Sequence, residues 1–311
     1  VRAMFHPVIE VTRDEAGRRT ATGQPRAESM ILVFLDPVGE DRVGPLLDGV
    51  RATLADVHAA VDDFEAMTGL MRRTIVELEA GGVRGDPEAF AEELAFLRWL
   101  SADRFVFLGA RVYEYPRTPD GGYAAEEPLF QPEASLGVLR NPDRSVLRRE
   151  SEPAVLTALM QRRMEEQSPL VVAKANLRSR VHRRVKMDYI GVRRYGADGR
   201  PSGEVRIVGL FTAEAYDQPA RDVPMIRRKV ANVFRRADKL PDSHNDKRLR
   251  TIVENFPRDE LFQITEDELL RIALGVLHLY DRPRVRVFAR NDSFDRFVSV
   301  LVFIPRERYD S

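Results

Sequence analysis

The chain of 311 residues is long enough for two or three domains, each with a core of its own. Its 49 Lys and Arg residues offset 49 Asp and Glu residues, and this zero net charge argues against a protein that binds polyanions through bulk charge. The absence of Cys excludes disulfides, thiolate catalysis and Cys-ligated metal sites, and it is typical of a reducing compartment, for which the cytoplasm is the default.

The first third of the chain predicts a hairpin followed by helices. Two apolar strands, at 8–12 and 30–35, are separated by a loop rich in Gly, Arg and Thr. After them, apolar residues recur every three or four positions, which places them on one helical face. These residues are Leu46, Val50, Leu54, Val57, Val61 and Phe64. Asp86 and Pro87 then have the residue types of a helix N-cap and first helical position, so a further helix is predicted to run to about Leu100.

The middle of the chain predicts an antiparallel sheet with flanking helices. Its strands are predicted at 104–115, 123–130, 170–175, 185–195 and 204–212, with a helix at 154–167. Gly196 and Gly199 stand in a turn-rich sequence that would join the last two strands as a hairpin. This part is therefore predicted to be a meander.

The last third predicts helices and a closing hairpin. A helical stripe contains Ile226 and Val230, and Thr265 with Glu268 has the pattern of a capping box. The hairpin predicted at 284–290 and 297–304 echoes the first one, which is either a chance similarity of apolar hairpins or a weak internal repeat. In the second case each copy would be part of a βαββαβ unit.

Charge is unevenly distributed along the chain. Residues 48–103 contain 12 acidic and 5 basic residues, whereas residues 178–250 contain 19 basic and 9 acidic ones. Such asymmetry favours docking of one segment on another, within a chain or between subunits. A nucleic-acid surface is the alternative for the basic half, but the aromatic residues there follow strand patterns expected in a core. We therefore expect no nucleic-acid partner.

Motifs for cofactors, metals and catalysis are weak. No Gly-rich fingerprint for a dinucleotide or triphosphate is present, and the five His residues show no metal-ligand spacing. The basic run 178–186 could bind an anion or could simply be solvated, and His182 with Asp188 could do acid–base work. The run 257–263 is either a binding turn or a helix start with Leu261 and Phe262 buried, and Trp99 is expected to be a core or interface anchor.

Several stretches in family order resemble the N-terminal region of the large bacterial NAD-specific glutamate dehydrogenases. They are Phe-Leu-Arg-Trp-Leu at 96–100 with Arg-Phe-Val-Phe-Leu-Gly at 104–109, Val-His-Arg-Arg-Val-Lys-Met-Asp-Tyr-Ile at 181–190, Gly-Leu-Phe-Thr at 209–212, Pro-Met-Ile-Arg-Arg-Lys-Val at 224–230, and Phe-Pro-Arg-Asp-Glu-Leu-Phe-Gln at 256–263. The resemblance extends over nearly the whole chain. The Val at position 1 fits an excised piece of a longer protein, and no apolar run reaches the roughly 18 residues that cross a membrane.

The resemblance implies an α+β fold with partial ACT-like (ferredoxin-like) units at both ends and a PAS-like central module. The implied division is a partial ACT-like unit and helix at 1–68, a helical linker at 69–103, the PAS-like sheet at 104–216, a helical segment at 217–256 and a second partial ACT-like unit at 257–311. NAD and the glutamate-oxidising site are implied for the parent protein alone. No catalytic, cofactor or metal residue is assigned here, and the residues of any amino-acid effector site stay unknown.

Three functions are open at this stage. The first is a regulatory and assembly segment that contacts its own catalytic domain and sister subunits, and that responds to an amino-acid effector by a population shift. The second is a self-contained hydrolase that uses His182 and Asp188. The third is an oligomerisation scaffold without a ligand.

Overall fold

The computed structural model describes residues 1–82, 85–124, 128–147, 168–238, 240–280, 282–292 and 297–305. The chain divides into two compact units, Val1–Leu54 and Ala55–Ser311. The fold is mixed α/β with small antiparallel sheets and helices, which confirms that part of the prediction. The predicted helix at 154–167 lies outside the described residues, and the five-part division of the chain stays a prediction.

The first unit contains four short strands. They are β1 (Ala3–Phe5), β2 (Val8–Val11), β3 (Arg26–Ser29) and β4 (Leu32–Phe34). The chain turns back on itself as predicted, but the pairing of 8–12 with 30–35 is wrong, because β2 pairs with β3 and β1 with β4. The ladder is divided at Pro7, which has no backbone N–H to donate and instead accepts from the N–H of Met30.

Three helices follow and confirm the predicted periodicity. Helix α1 is Glu40–Asp62, α2 is Phe64–Ala80 and α3 is Pro87–Trp99. Asp86 caps α3 by accepting a hydrogen bond from the backbone N–H of Glu88, and Pro87 occupies the first turn. A wide turn, Leu100–Arg104, then leads into the central sheet, with Asp103 at a φ of 59°.

The central sheet is antiparallel throughout. Its strands are β5 (Phe105–Glu114), β6 (Leu129–Phe130), β7 (Leu136–Gly137), β8 (Leu170–Arg178), β9 (Lys186–Tyr195) and β10 (Pro201–Phe211). The order is β6-β5-β10-β9-β8, and β7 also pairs with β5. The predicted meander and its turn after Tyr195 are confirmed. Helices α2 and α3 contribute to the core on one face, and residues 138–147 contribute to a second core.

The last third contains five helices and a hairpin among the described residues. They are α4 (Ala213–Asp217), α5 (Ile226–Ala237), α6 (His244–Glu254), α7 (Arg258–Gln263), α8 (Glu266–Leu277), β11 (Arg286–Asn291) and β12 (Val298–Phe303). The capping box of Thr265 and Glu268 is confirmed, as is the closing hairpin. Helix α6 was not predicted, because polar residues dominate it and few apolar residues mark a stripe.

The acidic and basic segments of the second unit dock on each other, as their charge asymmetry predicts. Arg227 of α5 lies 2.8 Å from Glu92 of α3, and Arg228 pairs with Asp86. Arg194 of β9 lies 3.6 Å from Glu77 of α2. These pairs are partly exposed, so each contributes at most about 1 kcal/mol to the stability of the fold. They therefore determine which segments contact each other and add little to the strength of the contact.

Candidate functional site

The sequence stretches that carry the family resemblance converge on one place, where the central sheet meets helices α3, α4 and α7. We call this place the junction. Its members are Trp99, Lys174, Asp188, Phe211, Tyr216, Asp259 and Phe262. Because these residues come from six different elements, the junction decides how the sheet and the helices of the second unit are held together.

The ionic part of the junction is built on Lys174. Lys174 of β8 and Asp188 of β9 are direct cross-strand partners, and the lysine Nζ lies 2.6 Å from Asp188 Oδ1. The same Nζ lies 3.0 Å from Oδ2 of Asp259, in the first turn of α7. The Tyr216 hydroxyl donates to Asp259 Oδ1 over 2.8 Å. One lysine therefore joins two strands of the sheet to a helix.

Burial changes the acid–base properties of this group. The side chain of Asp188 is 4% exposed, and burial raises its pKa to about 6 against the lowering effect of Lys174. Burial alone would lower the pKa of Lys174, but Asp188 and Asp259 raise it above its ordinary value. Burial also raises the pKa of Tyr216, and the two carboxylates raise it further. At neutral pH Lys174 is thus charged and the tyrosine is neutral.

An aromatic cluster lies beside the ionic group. The rings of Phe211 and Phe262 stack with their centroids 4.6 Å apart and 8° between their planes. Trp99 stacks on Phe96 at 5.6 Å and donates its Nε1–H to Oε1 of Gln218 over 2.8 Å. The expected role of Trp99 as an anchor is confirmed, since its ring is packed and its polar atom has a partner.

Lys229 fixes the other end of helix α7. From α5 its Nζ donates to the backbone carbonyls of Leu261 at 2.7 Å and Ile264 at 2.6 Å. These carbonyls lie at the C-terminus of α7, where backbone acceptors lack partners within the helix. Burial lowers the pKa of Lys229 to about 8. A lysine here caps a helix.

The sequence candidates lie at or near the junction but do not form a catalytic pair. Asp188 is buried on β9, whereas His182 is exposed with a φ of 66°. No hydrogen bond or ion pair joins the two in the part of the chain that the structure describes. In the basic run, Arg183 donates to the backbone carbonyl of Phe211 over 2.6 Å, and its guanidinium lies 5.2 Å from the centroid of the Tyr216 ring. The run 257–263 is the start of a helix with its apolar side buried, as one of the two readings proposed.

Sequence reasoning missed Lys174, Tyr216 and Asp259. Their positions in the sequence are far apart, so no spacing signal connects them. The one signal was Lys174 itself, the only charge in the strand Leu170–Arg178 before its exposed last residue, since a charge within a buried strand needs a partner. Neither Tyr216 nor Asp259 gives a signal of its own.

Among the described residues, no group of three His, Asp or Glu side chains is arranged to hold a metal ion. None of the helices that the structure describes is both long enough and apolar enough to cross a membrane.

Comparisons with known proteins show similarity to glutamate dehydrogenases. The family "Glutamate dehydrogenase, helical motif 1" matches residues 223–282, and "Glutamate dehydrogenase, ACT2 domain" matches residues 286–311. An NAD-specific glutamate dehydrogenase of Halomonas elongata is 36% identical over the whole chain and 20% of its own length. A protein of the same name from Pseudomonas aeruginosa is 34% identical over 91% of the chain and 17% of its own length. Another from Mycobacterium tuberculosis is 30% identical over 99% of the chain and 18% of its own length.

The chain thus spans about a fifth of the length of the curated relatives that it matches. Five of the seven junction residues lie in the stretches by which the chain resembles these proteins, whereas Lys174 and Tyr216 lie outside them. Helices α5 to α8 fall within the matched helical motif, and β11 and β12 fall within the matched ACT2 domain. The predicted resemblance is thus confirmed: the chain matches part of the large NAD-specific glutamate dehydrogenases, and its last third matches two glutamate dehydrogenase family models.

Proposed function

We propose that this chain is a non-catalytic regulatory and assembly segment of a large NAD-dependent glutamate dehydrogenase. The parent protein would convert L-glutamate to 2-oxoglutarate by oxidative deamination with NAD, and this segment would bind no cofactor. A cytoplasmic setting belongs to the same proposal and is supported by the lack of Cys.

One observation carries the proposal: helix α7 connects three parts of the second unit through paired groups. Asp259 joins it to the sheet through Lys174, and the next residue, Glu260, lies 2.8 Å from Arg290 of β11. Lys229 of α5 holds its C-terminus. Groups that are buried and paired with one another are suited to holding and transmitting an arrangement, whereas a catalytic site needs groups open to a substrate.

The mechanism would be a shift between two arrangements of the modules. An amino-acid effector that binds one arrangement better than the other shifts the equilibrium by the difference in binding free energy, typically about 1–3 kcal/mol. The partners would be the catalytic domain of the same polypeptide and its sister subunits. The modules would be two partial ACT-like units, one at each end, and a PAS-like sheet between them.

Two measurements test the proposal. The isolated 311-residue chain, given L-glutamate and NAD, should form no NADH, and turnover by the chain alone would refute the non-catalytic role. Titration calorimetry with the common amino acids should then give heat for an effector. If none of the amino acids gives heat at millimolar concentration, the sensing role is refuted and the assembly role remains.

A scaffold without a ligand is the second candidate, favoured by exposed apolar side chains on the last hairpin. Val287 of β11 and Val298, Val300 and Val302 of β12 alternate with buried or half-buried residues and lie on the exposed face of the hairpin. Light scattering would distinguish the two functions, since a stable oligomer that no amino acid alters would favour the scaffold.

A further inference from the structure

A groove of about 660 Å³ lies between helices α6 and α8 and the end of strand β12. It falls at the boundary between the two matched regions, because α6 and α8 belong to residues 223–282 and β12 to residues 286–311. Its walls are mainly apolar. They include Ile252, Phe256, Val276, Leu279, Leu301 and Phe303. The volume lies within the range of small-molecule sites, roughly 300–1,000 Å³.

Among the described residues, those that line the groove include one cation and no anion. Arg284 lines it, is exposed, and makes no hydrogen bond or ion pair with any residue that the structure describes. Many other arginines of the described chain pair with a carboxylate, as Arg290 does with Glu260. The nearby polar side chain of Asn255 donates to the backbone carbonyl of Thr251 over 2.8 Å. No Asp or Glu side chain lines the groove in the part of the chain that the structure describes.

We propose that this groove binds a small carboxylate with an apolar body, whose carboxylate pairs with Arg284. The apolar body would occupy the wall between α8 and β12, where burial of apolar surface supplies most of the binding free energy. A guanidinium offers two parallel N–H donors that match the two oxygens of a carboxylate. The proposal goes beyond the proposed function, because it assigns to this groove a ligand of another class than the amino-acid effector, and it rests on that function only for the consequence of binding.

None of the lining residues that the structure describes is acidic, and this argues against a free amino acid as the ligand. The ammonium group of an amino acid carries a full positive charge, and in this groove it would face Arg284 without a carboxylate to pair with. A carboxylic acid with the same carbon skeleton and no amino group avoids that cost. The ligand is therefore expected to be an acid such as 3-phenylpropanoate rather than L-phenylalanine.

Titration calorimetry with three matched probes tests the proposal on the full 311-residue chain. The probes are 3-phenylpropanoate, its uncharged amide 3-phenylpropanamide, and L-phenylalanine. We expect the acid to bind, and the amide and the amino acid to bind at least about tenfold more weakly. The amide has no negative charge to pair with Arg284, and the amino acid brings an ammonium group close to this cation.

Three variants locate the site. Arg284→Gln should weaken binding of the acid to the level of the amide and leave binding of the amide unchanged. Arg282→Gln is the matched control, since Arg282 is exposed, lies two positions away and does not line the groove. Thr251→Trp, at an exposed position of the rim, should fill the groove and remove binding of both probes. The melting temperature of each variant shows that it is folded.

The results separate this proposal from the proposed function. No heat from the acid with the wild-type chain, equal affinity for acid and amide, or an Arg284→Gln variant that binds the acid like wild type would each overturn the carboxylate site. Equal binding of L-phenylalanine would overturn the argument from the missing acidic side chain. NADH formation by the isolated chain would instead overturn the non-catalytic role, whatever the groove binds.

Discussion

Replacing Lys174 by Met is the sharpest perturbation of the junction. It leaves the Asp188 carboxylate buried on β9 without the cation that lies 2.6 Å away. Removing one partner of a buried ion pair typically costs about 3–5 kcal/mol, because the other charge stays desolvated. Asp259 also loses its contact with Lys174, but it is about one-third exposed and water can replace the lysine there. We therefore expect Lys174→Met to lower the free energy of unfolding at pH 7 by about 3 kcal/mol.

The loss should depend on pH in a known direction. Asp188 has a pKa of about 6 in the folded chain, raised mainly by burial above its ordinary value of 3.8. Between these values the folded chain binds more protons, so its stability falls as pH rises, by roughly 3 kcal/mol in all. Removing Lys174 takes away the group that lowers this pKa, which then rises further. The variant should accordingly be least stable, relative to wild type, at pH 8 and should recover much of the loss at pH 5.

Urea unfolding followed by circular dichroism at pH 5, 6, 7 and 8 measures this difference. Lys186→Met is the control, because Lys186 lies on β9 and donates to the side-chain oxygen of Asn176 over 3.2 Å. In the double variant Lys174→Met with Asp188→Asn, most of the pH dependence of the difference should disappear. A loss of the same size at pH 5 and pH 8 would refute the assignment of the penalty to an ionised Asp188.

Three further outcomes are expected. Gly137→Ala should lower the free energy of unfolding, measured by thermal unfolding, by about 3 kcal/mol or more. Gly137 has a φ of 60°, and a Cβ there would collide with the carbonyl oxygen of Leu108. Gly44→Ala in α1 is the control, since it has free space and should be neutral or stabilising. Arg111→Met should cost about 2–4 kcal/mol, since the buried guanidinium donates to three backbone carbonyls of residues 139–144 that would lose their donor. Burial lowers the pKa of Lys229 to about 8, so between pH 8 and pH 10.5 the folded chain binds fewer protons than the unfolded one. The free energy of unfolding of the wild type should therefore rise by about 3 kcal/mol over this range, and Lys229→Met should remove that rise.

Local signals predicted most of the elements correctly. A cap such as Asp86 or Thr265 acts within its own helix turn, and the turn after Tyr195 joins strands adjacent in sequence, so short stretches contain all the information required. The pairing of the first four strands was not predicted correctly, because it depends on Pro7, which has no backbone N–H to donate to a partner strand. Pro7 was visible in the sequence, but its effect on register appears only when the partner strand is known.

The junction could be predicted only in part. Trp99 drew attention within an apolar stretch and Asp188 as the carboxylate after the basic run 178–186, but the partners of both are set by the packing of distant elements. Asp259 follows Asp188 by 71 positions, and no periodicity joins them. The pairing of His182 with Asp188 rested on closeness in sequence, and the strand directed Asp188 into the core while His182 stayed in the exposed turn before it.

Helix α7 has six residues, too few to be stable alone, so its place in the fold is set by what it contacts. Its consecutive acids serve two different neighbours: Asp259 pairs with Lys174 of the sheet, and Glu260 with Arg290 of the last hairpin, whose side chain is 7% exposed. A movement of the hairpin would pull on Glu260 and change the geometry at Asp259 within one helical turn. The Glu260–Arg290 pair is largely buried and cannot be exchanged for water at low cost, so the start of α7 follows the hairpin, whereas the contact of Asp259 with Lys174 is partly exposed and can lengthen. A ligand in the neighbouring groove would contact β12, the partner of β11, and so act on the same linkage.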